Sequence, residues 1–586
     1  MNTTDYLMLK ISNCKNCYKC IRHCPVKSIR FENNQAHIVR EECILCGRCF
    51  VACPQNAKEI RDDLTAARSL ISGGERVYAS LAPSFTANYG GLNIRAMEGA
   101  LKQLGFAGVE ETAVGAAIVK KQYDVMLNNE VQEVILSSCC HSVNLLIQKY
   151  YSDALPLLAP VLSPMLAHGI DLKRRYPGAR VVFIGPCISK KDEAERYPGP
   201  VDAALTFKEL SRWLEEKHIS LDEPGNAEAA TPQDAEDAGR GLTRLFPTTG
   251  GILRTMAKEN PRYTYLAVDG IDNCVNVIKD LVRRRPHLPD QPLGRCFIEM
   301  SACAGSCIGG PVMSVTPLAS MPAASMPMAP VGDYIAVSRY AGERDFETEQ
   351  YSAKELDKKF VSLAPRRIHL GTAAIEEVLR KLGKTKPEHE LNCGSCGYNT
   401  CREKAQAVLE GKATLTMCLP YLKERAESFS DNIITNTPNG IIVLNETLEV
   451  QQINTAACRI FNIGPQDILG AQVIRLLDPA PFIEACQQEK NRYNRRVYLA
   501  DYEKHIDQTI IYDKNYHIII GIMRDVTGEE SQKAAKEAFN RRTIEITDRV
   551  IEKQMRAVQE IASLLGETTA ETKVALTKFK EILTNE

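Results

Sequence analysis

Gly185-Pro186-Cys187-Ile188-Ser189-Lys190-Lys191 follows directly on the apolar run Arg180-Val181-Val182-Phe183-Ile184. A short β-branched run reads as a buried strand, and a proline–cysteine pair just past its end reads as a functional loop. The arrangement recurs along the chain. Val131-Gln132-Glu133-Val134-Ile135-Leu136 leads through Ser137-Ser138 to Cys139-Cys140, and Val77-Tyr78-Ala79-Ser80-Leu81 leads to Ala82-Pro83-Ser84. Helical stretches over residues 94–104 and 115–127 stand between these runs. The alternation predicts an α/β domain, with chemically important residues at the strand carboxyl ends. A third group, Glu299-Met300-Ser301-Ala302-Cys303-Ala304-Gly305-Ser306-Cys307, completes four separated thiols, with one more beside Cys140.

The chain has 586 residues and a net charge of −1. That length predicts several domains, and the charge balance gives no field for nucleic acid or an anionic membrane. The opening residues lack a basic stretch leading into an apolar segment. No apolar run is long enough to span a bilayer, so a cytoplasmic protein is expected. The 21 cysteines fall mostly in short-spaced groups, which favours ligation over disulfides and a reducing, oxygen-poor setting.

Cys14, Cys17, Cys20 and Cys24-Pro25 are spaced C-x2-C-x2-C-x3-C-P, and Cys43, Cys46, Cys49 and Cys53-Pro54 repeat the spacing. The doubled run resembles two-cluster bacterial ferredoxins, in which the fourth cysteine of each run ligates the other cluster. The resemblance implies one 4Fe-4S cluster on Cys14, Cys17, Cys20 and Cys53, and a second on Cys43, Cys46, Cys49 and Cys24. Two zinc knuckles are the alternative chemistry. Short hairpin strands are expected around Asn33-Asn34-Gln35.

The three central groups together resemble the signature of the FeFe (iron-only) hydrogenases. Their H-cluster joins a 4Fe-4S cubane to a two-iron centre with CO, CN and azadithiolate ligands. Carried over by position, the resemblance implies Cys140, Cys187, Cys303 and Cys307 as H-cluster ligands, Cys307 bridging the two parts. It implies Cys139 as the thiol that exchanges a proton with the cofactor amine, and Lys190 as the hydrogen-bond donor to a cyanide. Pro83 and Ser84 match a loop touching the same cofactor. The bland readings are a small buried cysteine at 139 and a solvated lysine at 190.

Several positions depart from catalytic members of the family. Gly185 and Ser301 stand where methionines are usual, His141 where a proline follows the two cysteines, and Gly309-Gly310-Pro311 where a longer Gly-Gly-Gly-Gln-Pro is usual. The two methionine losses predict added space and polarity around the cofactor. A glutamate that usually continues the proton path falls at Gln122 or Tyr123, so that path is rerouted or interrupted. These changes resemble the sensory branches of the family.

Cys393, Cys396, Cys401 and Cys418 form a third run, similar to a small 4Fe-4S module, with zinc as runner-up. Residues 428–527 resemble a PAS domain, with strands expected near residues 440–444, 448–454, 508–511 and 516–523. Cys458 and Cys486 read as packed rather than ligating. The rest is helical, and Ile544, Ile551, Val558 and Leu565 form a seven-residue stripe before a break at residues 566–569. No histidine follows His517, which excludes a phosphoaccepting histidine helix.

The expected organisation is multidomain α/β and α+β. It comprises a two-cluster ferredoxin-like domain (1–72), an H-cluster domain (73–385), a 4Fe-4S module (386–424), a PAS domain (425–528) and a helical tail (529–586). Residues 222–241 and 315–331 read as surface insertions. The resemblance implies a slow sensory hydrogenase reacting with H2 and signalling through PAS to a downstream protein. A homodimer through PAS or tail is expected. The alternatives are a metabolic hydrogenase exchanging electrons with a ferredoxin-like partner and a non-catalytic iron–sulfur sensor.

Overall fold

The computed structural model describes residues 5–10, 13–130, 132–221, 239–256, 260–287, 294–313, 330–365, 371–565 and 570–584. Most of the two expected insertions, the residues 566–569 and the start of the run at Val131 lie outside them. The chain divides into two compact units, Met1–Tyr421 and Leu422–Glu586.

The first unit begins with a small cysteine-rich body. Strand Leu7–Leu9 pairs antiparallel with Lys58–Ile60, and Ile29–Glu32 pairs with Gln35–Ile38. Asn33 and Asn34 make the hairpin turn with φ of 50° and 57°, the left-handed conformation that a two-residue turn needs and asparagine tolerates. Two short helices, Lys19–His23 and Arg48–Val51, start within the two cysteine runs.

The α/β region holds two sheets rather than one, each wholly parallel. In the first the order is Gly108–Glu111, Val77–Leu81, Arg180–Gly185 and Ala203–Thr206. In the second it is Tyr263–Asp269, Arg295–Ser301 and Val134–Leu136. Parallel pairing demands crossovers, which the helices Ile94–Gln103, Ala113–Asn128 and Pro164–Arg175 help to supply. Strands 203–206, 263–269 and 295–301 are additions to the sequence reading. Pro83, Cys139, Cys187 and Cys303 all follow strand carboxyl ends, so both sheets present them at the edge where open α/β folds hold ligands.

A buried ion cluster fastens the cysteine-rich body to the α/β region. Lys191 is 2% exposed, and its Nζ donates to Asp63 (2.8 Å), Glu209 (2.9 Å) and the Ala204 carbonyl (3.0 Å). Glu209 also closes a capping box with Thr206 at the start of helix Phe207–Glu216. Near the end of the unit, helices Thr372–Lys381 and Cys401–Leu409 pack together around Val378, Leu379, Leu382 and Ala405.

The second unit is a five-stranded antiparallel sheet in the order Val450–Ile453, Gly440–Asn445, Ile518–Asp525, Lys504–Asp513 and Arg492–Leu499. Ile442, Leu444, Ile506, Ile510, Ile519 and Met523 fill its inner face against Phe461 and Phe482. The edge strand Arg492–Leu499 escapes the sequence reading because its arginines suit an exposed sheet edge and hide the apolar alternation. Cys458 is buried in the core, with Cys486 packed against it. The tail is a helix, Thr527–Leu565, with Ala570–Thr584 packed back on it. Ile544, Ile551 and Val558 are half-buried, while a second row, Phe539, Ile546, Val550 and Ile561, faces solvent. Among the described residues no helix is long and apolar enough to cross a membrane.

Lys191→Met leaves Asp63 and Glu209 without their cation, a loss of about 3 kcal/mol or more for a broken buried pair. The expected outcome is a lower thermal midpoint for the iron-loaded full chain, and an unchanged midpoint contradicts the assignment.

Candidate active site and cluster-binding sites

Cys140 caps helix His141–Tyr150, just past strand Val134–Leu136. Cys187 follows Arg180–Gly185, and Cys303 and Cys307 lie in the turn after Arg295–Ser301. That turn is tight: a Cβ on Gly309 would fall 1.9 Å from the Ala304 carbonyl oxygen, so only glycine fits. The four sulfurs converge. Burial pushes the Cys303 thiol well up, and the nearby Cys187, Cys140 and Cys307 push it further. Cys307 is pushed up to about 12 by burial, then by Cys187 and Cys140. Such a set stays protonated until a metal centre displaces the protons.

Lys190 and Cys139 flank these sulfurs. Lys190 Nζ donates to the Cys139 carbonyl (3.2 Å) and to Glu193. Glu193 is fully buried and takes a second ammonium, Lys358, together with the Ser163 hydroxyl at 3.0 Å. Burial opposes its charge, but the two lysines hold its carboxyl well below the ordinary range. Lys358 lies far along the chain with no motif around it, so sequence reading had no signal for it. His141, at the usual proline position, is bonded to Asp192 at 2.7 Å, and Asp192 to Arg196 at 3.1 Å. Glu299 is buried, accepts the Gly250 and Leu253 amides at 3.0 and 3.1 Å, and is pushed up to about 7 by burial.

Pro83 and Ser84 stand beside this group, because the Ala82 amide donates to the Ile184 carbonyl at 2.8 Å. Ser84 is fully buried and its hydroxyl finds no protein partner among the described residues. A buried orphan hydroxyl fits a bound polar group. The donor set fits too: four convergent thiols, one extra thiol and a buried ammonium suit a cluster carrying anionic ligands.

Two departures read differently in three dimensions. The space expected at Gly185 is closed: a Cβ there would lie 2.6 Å from the Phe183 ring and 3.1 Å from Ala82. Ser301 is 8% exposed, so a hydroxyl does enter the interior there. Of the two proton-path candidates, Gln122 turns to the Tyr351 carbonyl (3.0 Å), whereas the Tyr123 hydroxyl lies 3.2 Å from the Cys139 sulfur.

The N-terminal cysteines sort into the interleaved sets. Cys20, pushed up to about 11 by burial, has Cys17, Cys53 and Cys14 as sulfur neighbours, and Cys14, Cys17, Cys20 and Cys53 line one cavity. Cys49 is pushed well up by burial and then by Cys43, Cys24 and Cys46. Backbone amides of Ser28, Leu45 and Ala57 point at Cys24, Cys43 and Cys53 sulfurs at 3.3–3.4 Å. Lys58 is 4% exposed with only the Ala36 carbonyl (2.5 Å) as its hydrogen-bond partner among the described residues, and its charge lowers both Cys20 and Cys49. A buried ammonium without a carboxylate calls for a nearby anion, which a thiolate-ligated cluster supplies. The second set abuts the central site: Cys46 is among the neighbours raising Cys303, and Gly47 packs on Pro311.

Cys393, Cys396, Cys401 and Cys418 line another cavity, with Lys404 and Tyr398 in its wall. Lys404 is 2% exposed, donates to the Thr414 carbonyl, and is pushed down to about 8 by burial while Cys396 and Cys418 pull it up. The Tyr398 hydroxyl is buried without a partner among the described residues. This module seats on the N-terminal body: Lys27 Nζ donates to Gly397 O (2.9 Å), Arg22 to Ser395 O (3.3 Å), and the Phe31 amide to Lys412 O (2.7 Å).

Gly185→Met, which restores the residue usual in catalytic members, is expected to overpack the site and cost about 1–3 kcal/mol. A fall in thermal midpoint that Phe183→Leu rescues in the double variant is the expected result, and full tolerance of the methionine alone contradicts it.

Residues 75–311 match the family model described as iron-only hydrogenase large subunit, C-terminal domain. Residues 7–59 match a 4Fe-4S dicluster domain, 390–420 an Fe-S cluster family, and 428–526 the PAS fold. Iron hydrogenase 1 of Clostridium pasteurianum is 23% identical over 374 residues, covering 46% of this chain and 63% of that protein. A component of the ion-translocating oxidoreductase complex of Methanosarcina acetivorans is 44% identical over 48 residues, 8% of this chain and 18% of its own length. A solved FeFe-hydrogenase from Chlamydomonas reinhardtii is 17% identical, covers 52% of this chain and all of its own, and gives a TM-score of 0.39. A PAS domain from Haloarcula marismortui covers 18% of this chain and 96% of its own at a TM-score of 0.15 and 15% identity. Residues 75–311 therefore belong to the iron-only hydrogenase large-subunit family, carried in one chain with a 4Fe-4S dicluster domain, a further Fe-S module and a PAS domain.

Proposed function

We propose that the chain is a sensory FeFe hydrogenase, converting H2 reversibly to two protons and two electrons and reporting the outcome through its PAS domain. The observation that carries this reading is the grouping of Cys139, Lys190 and the unpartnered Ser84 hydroxyl around four convergent cysteines. An ordinary cubane needs none of those three. When bound, the H-cluster supplies the iron at which hydrogen is split and the amine that takes its proton.

The protein's own residues divide the remaining work. Cys139 accepts and returns the proton. Lys190 holds an anionic ligand with its ammonium, and Glu193 and Lys358 fix that ammonium in place. Electrons leave on the Cys303 side, where Cys46 is near, pass to the cluster of Cys24, Cys43, Cys46 and Cys49, and on to that of Cys14, Cys17, Cys20 and Cys53. Cys396 and Cys24 both act on Tyr398, which favours a third 4Fe-4S cluster, on Cys393, Cys396, Cys401 and Cys418, exchanging electrons with this relay. The solvent-facing row Phe539, Ile546, Val550 and Ile561 has the spacing of a helix–helix seam and supports a homodimer. A cytoplasmic protein with an unidentified signalling partner, without nucleic acid or membrane, completes the reading.

One observation favours a metabolic role instead: Cys17 is exposed, which opens the relay to an external ferredoxin-like protein. Hydrogen–deuterium exchange of the PAS and tail amides, with and without H2, separates the two. Altered protection under H2 supports sensing, and identical protection with rapid reduction of a ferredoxin supports metabolism. Cys139→Ala is expected to slow proton exchange by about 10²-fold or more, with all cluster iron retained. Loss of iron from that variant assigns Cys139 a structural role.

A further inference from the structure

Tyr123 sits on helix Ala113–Asn128 with no exposed surface, its ring edge-on to Phe297 at 5.2 Å. Its hydroxyl has three neighbours. It accepts the Ser138 amide at 3.1 Å, and lies 3.3 Å from the Ser138 hydroxyl and 3.2 Å from the Cys139 sulfur. Ser138 directs its own hydroxyl proton to the Val161 carbonyl at 2.7 Å, so towards Tyr123 it only accepts. Two arrangements remain. The tyrosine donates to the Cys139 sulfur, or it donates to Ser138 and accepts the thiol. In both, the sulfur is held.

We propose that Tyr123 is a positioning residue that fixes the Cys139 sulfur through its hydroxyl, so that the thiol meets the reaction centre in one orientation. The proposal rests on the hydrogenase reading above. Three features favour holding over proton export. The hydrogen bonds beyond Tyr123 end on the Val161 carbonyl, with no carboxylate among them. Ser138 is itself pinned, its carbonyl accepting Asn144 Nδ2 at 2.8 Å. Gln122 turns away to Tyr351. The place of the usual proton-path glutamate is thus filled by a group that grips the thiol and leads no further.

The test uses the full chain carrying its cubanes but no two-iron centre, and reads the Cys139 S–H stretching band in the infrared, assigned by its loss in Cys139→Ser. Tyr123→Phe keeps the ring and removes only the hydroxyl. The expected result is a band moved to higher frequency and broadened. After maturation, isotope exchange between H2 and water is expected to fall about fivefold to tenfold, the scale of one lost hydrogen bond. An unchanged S–H band overturns the proposal. A shifted band in a protein whose native form exchanges no hydrogen after maturation upholds the positioning and sinks the hydrogenase reading instead. Should Tyr123→Phe fail to take up iron, 3-fluorotyrosine at position 123 keeps the size and alters the donor; no band shift then overturns the proposal.

Discussion

Crowded thiols in a dry interior are the constraint on which the rest of this structure depends. Burial and mutual repulsion push Cys43 to about 11 and Cys46 and Cys307 to about 12. Such groups ionise only if a positive centre takes their charge. The protein prepares for the net negative clusters that result. Lys58, Lys149 and Lys404 are all buried near cysteine sets and bonded to carbonyl oxygens. Carbonyls neutralise no charge, so these ammonium groups are stabilised when the cysteines are ionised and metallated. Lys190 follows different rules, sharing the buried Glu193 with Lys358. Around it the protein fixes a local charge balance before any cofactor arrives.

That balance changes how the departures from catalytic hydrogenases are understood. The missing methionine at Gly185 does not loosen the pocket, because Phe183 fills the space with a rigid ring. The missing proline at His141 brings a buried imidazole bonded to Asp192. Ser301 and Tyr123 add hydroxyls close to the ligands. The site is therefore well packed and more polar. Polar neighbours of an iron centre shift its potential and ligand basicity, which suits an account of tuning over one of decay.

The cysteine motifs were legible because their spacing is the chemistry: sixteen thiols fall into sets that the fold gathers from short loops. The apolar runs ending at Leu81, Leu136 and Ile184 were legible as strands for the same local reason. What escaped was non-local or masked. Lys358 reaches Glu193 from another part of the chain, and no pattern near it says so. Lys191 looks like a solvated neighbour of Lys190 until the fold buries it between Asp63 and Glu209. Adjacent helical residues face different ways, so an ungapped comparison could not choose between Gln122 and Tyr123; the helix phase does. The strand Arg492–Leu499 is an edge, and its charges obscure the alternation.

The central claim is that this chain houses a working two-iron centre beside Cys139. Infrared spectra of the matured full-length protein, in the region where metal-bound carbon monoxide and cyanide absorb, test it most directly. The account predicts such bands and predicts that they shift when H2 replaces an inert gas. Their absence, in protein with its full cubane iron and known exposure to the maturation machinery, contradicts it and leaves a non-catalytic iron–sulfur scaffold.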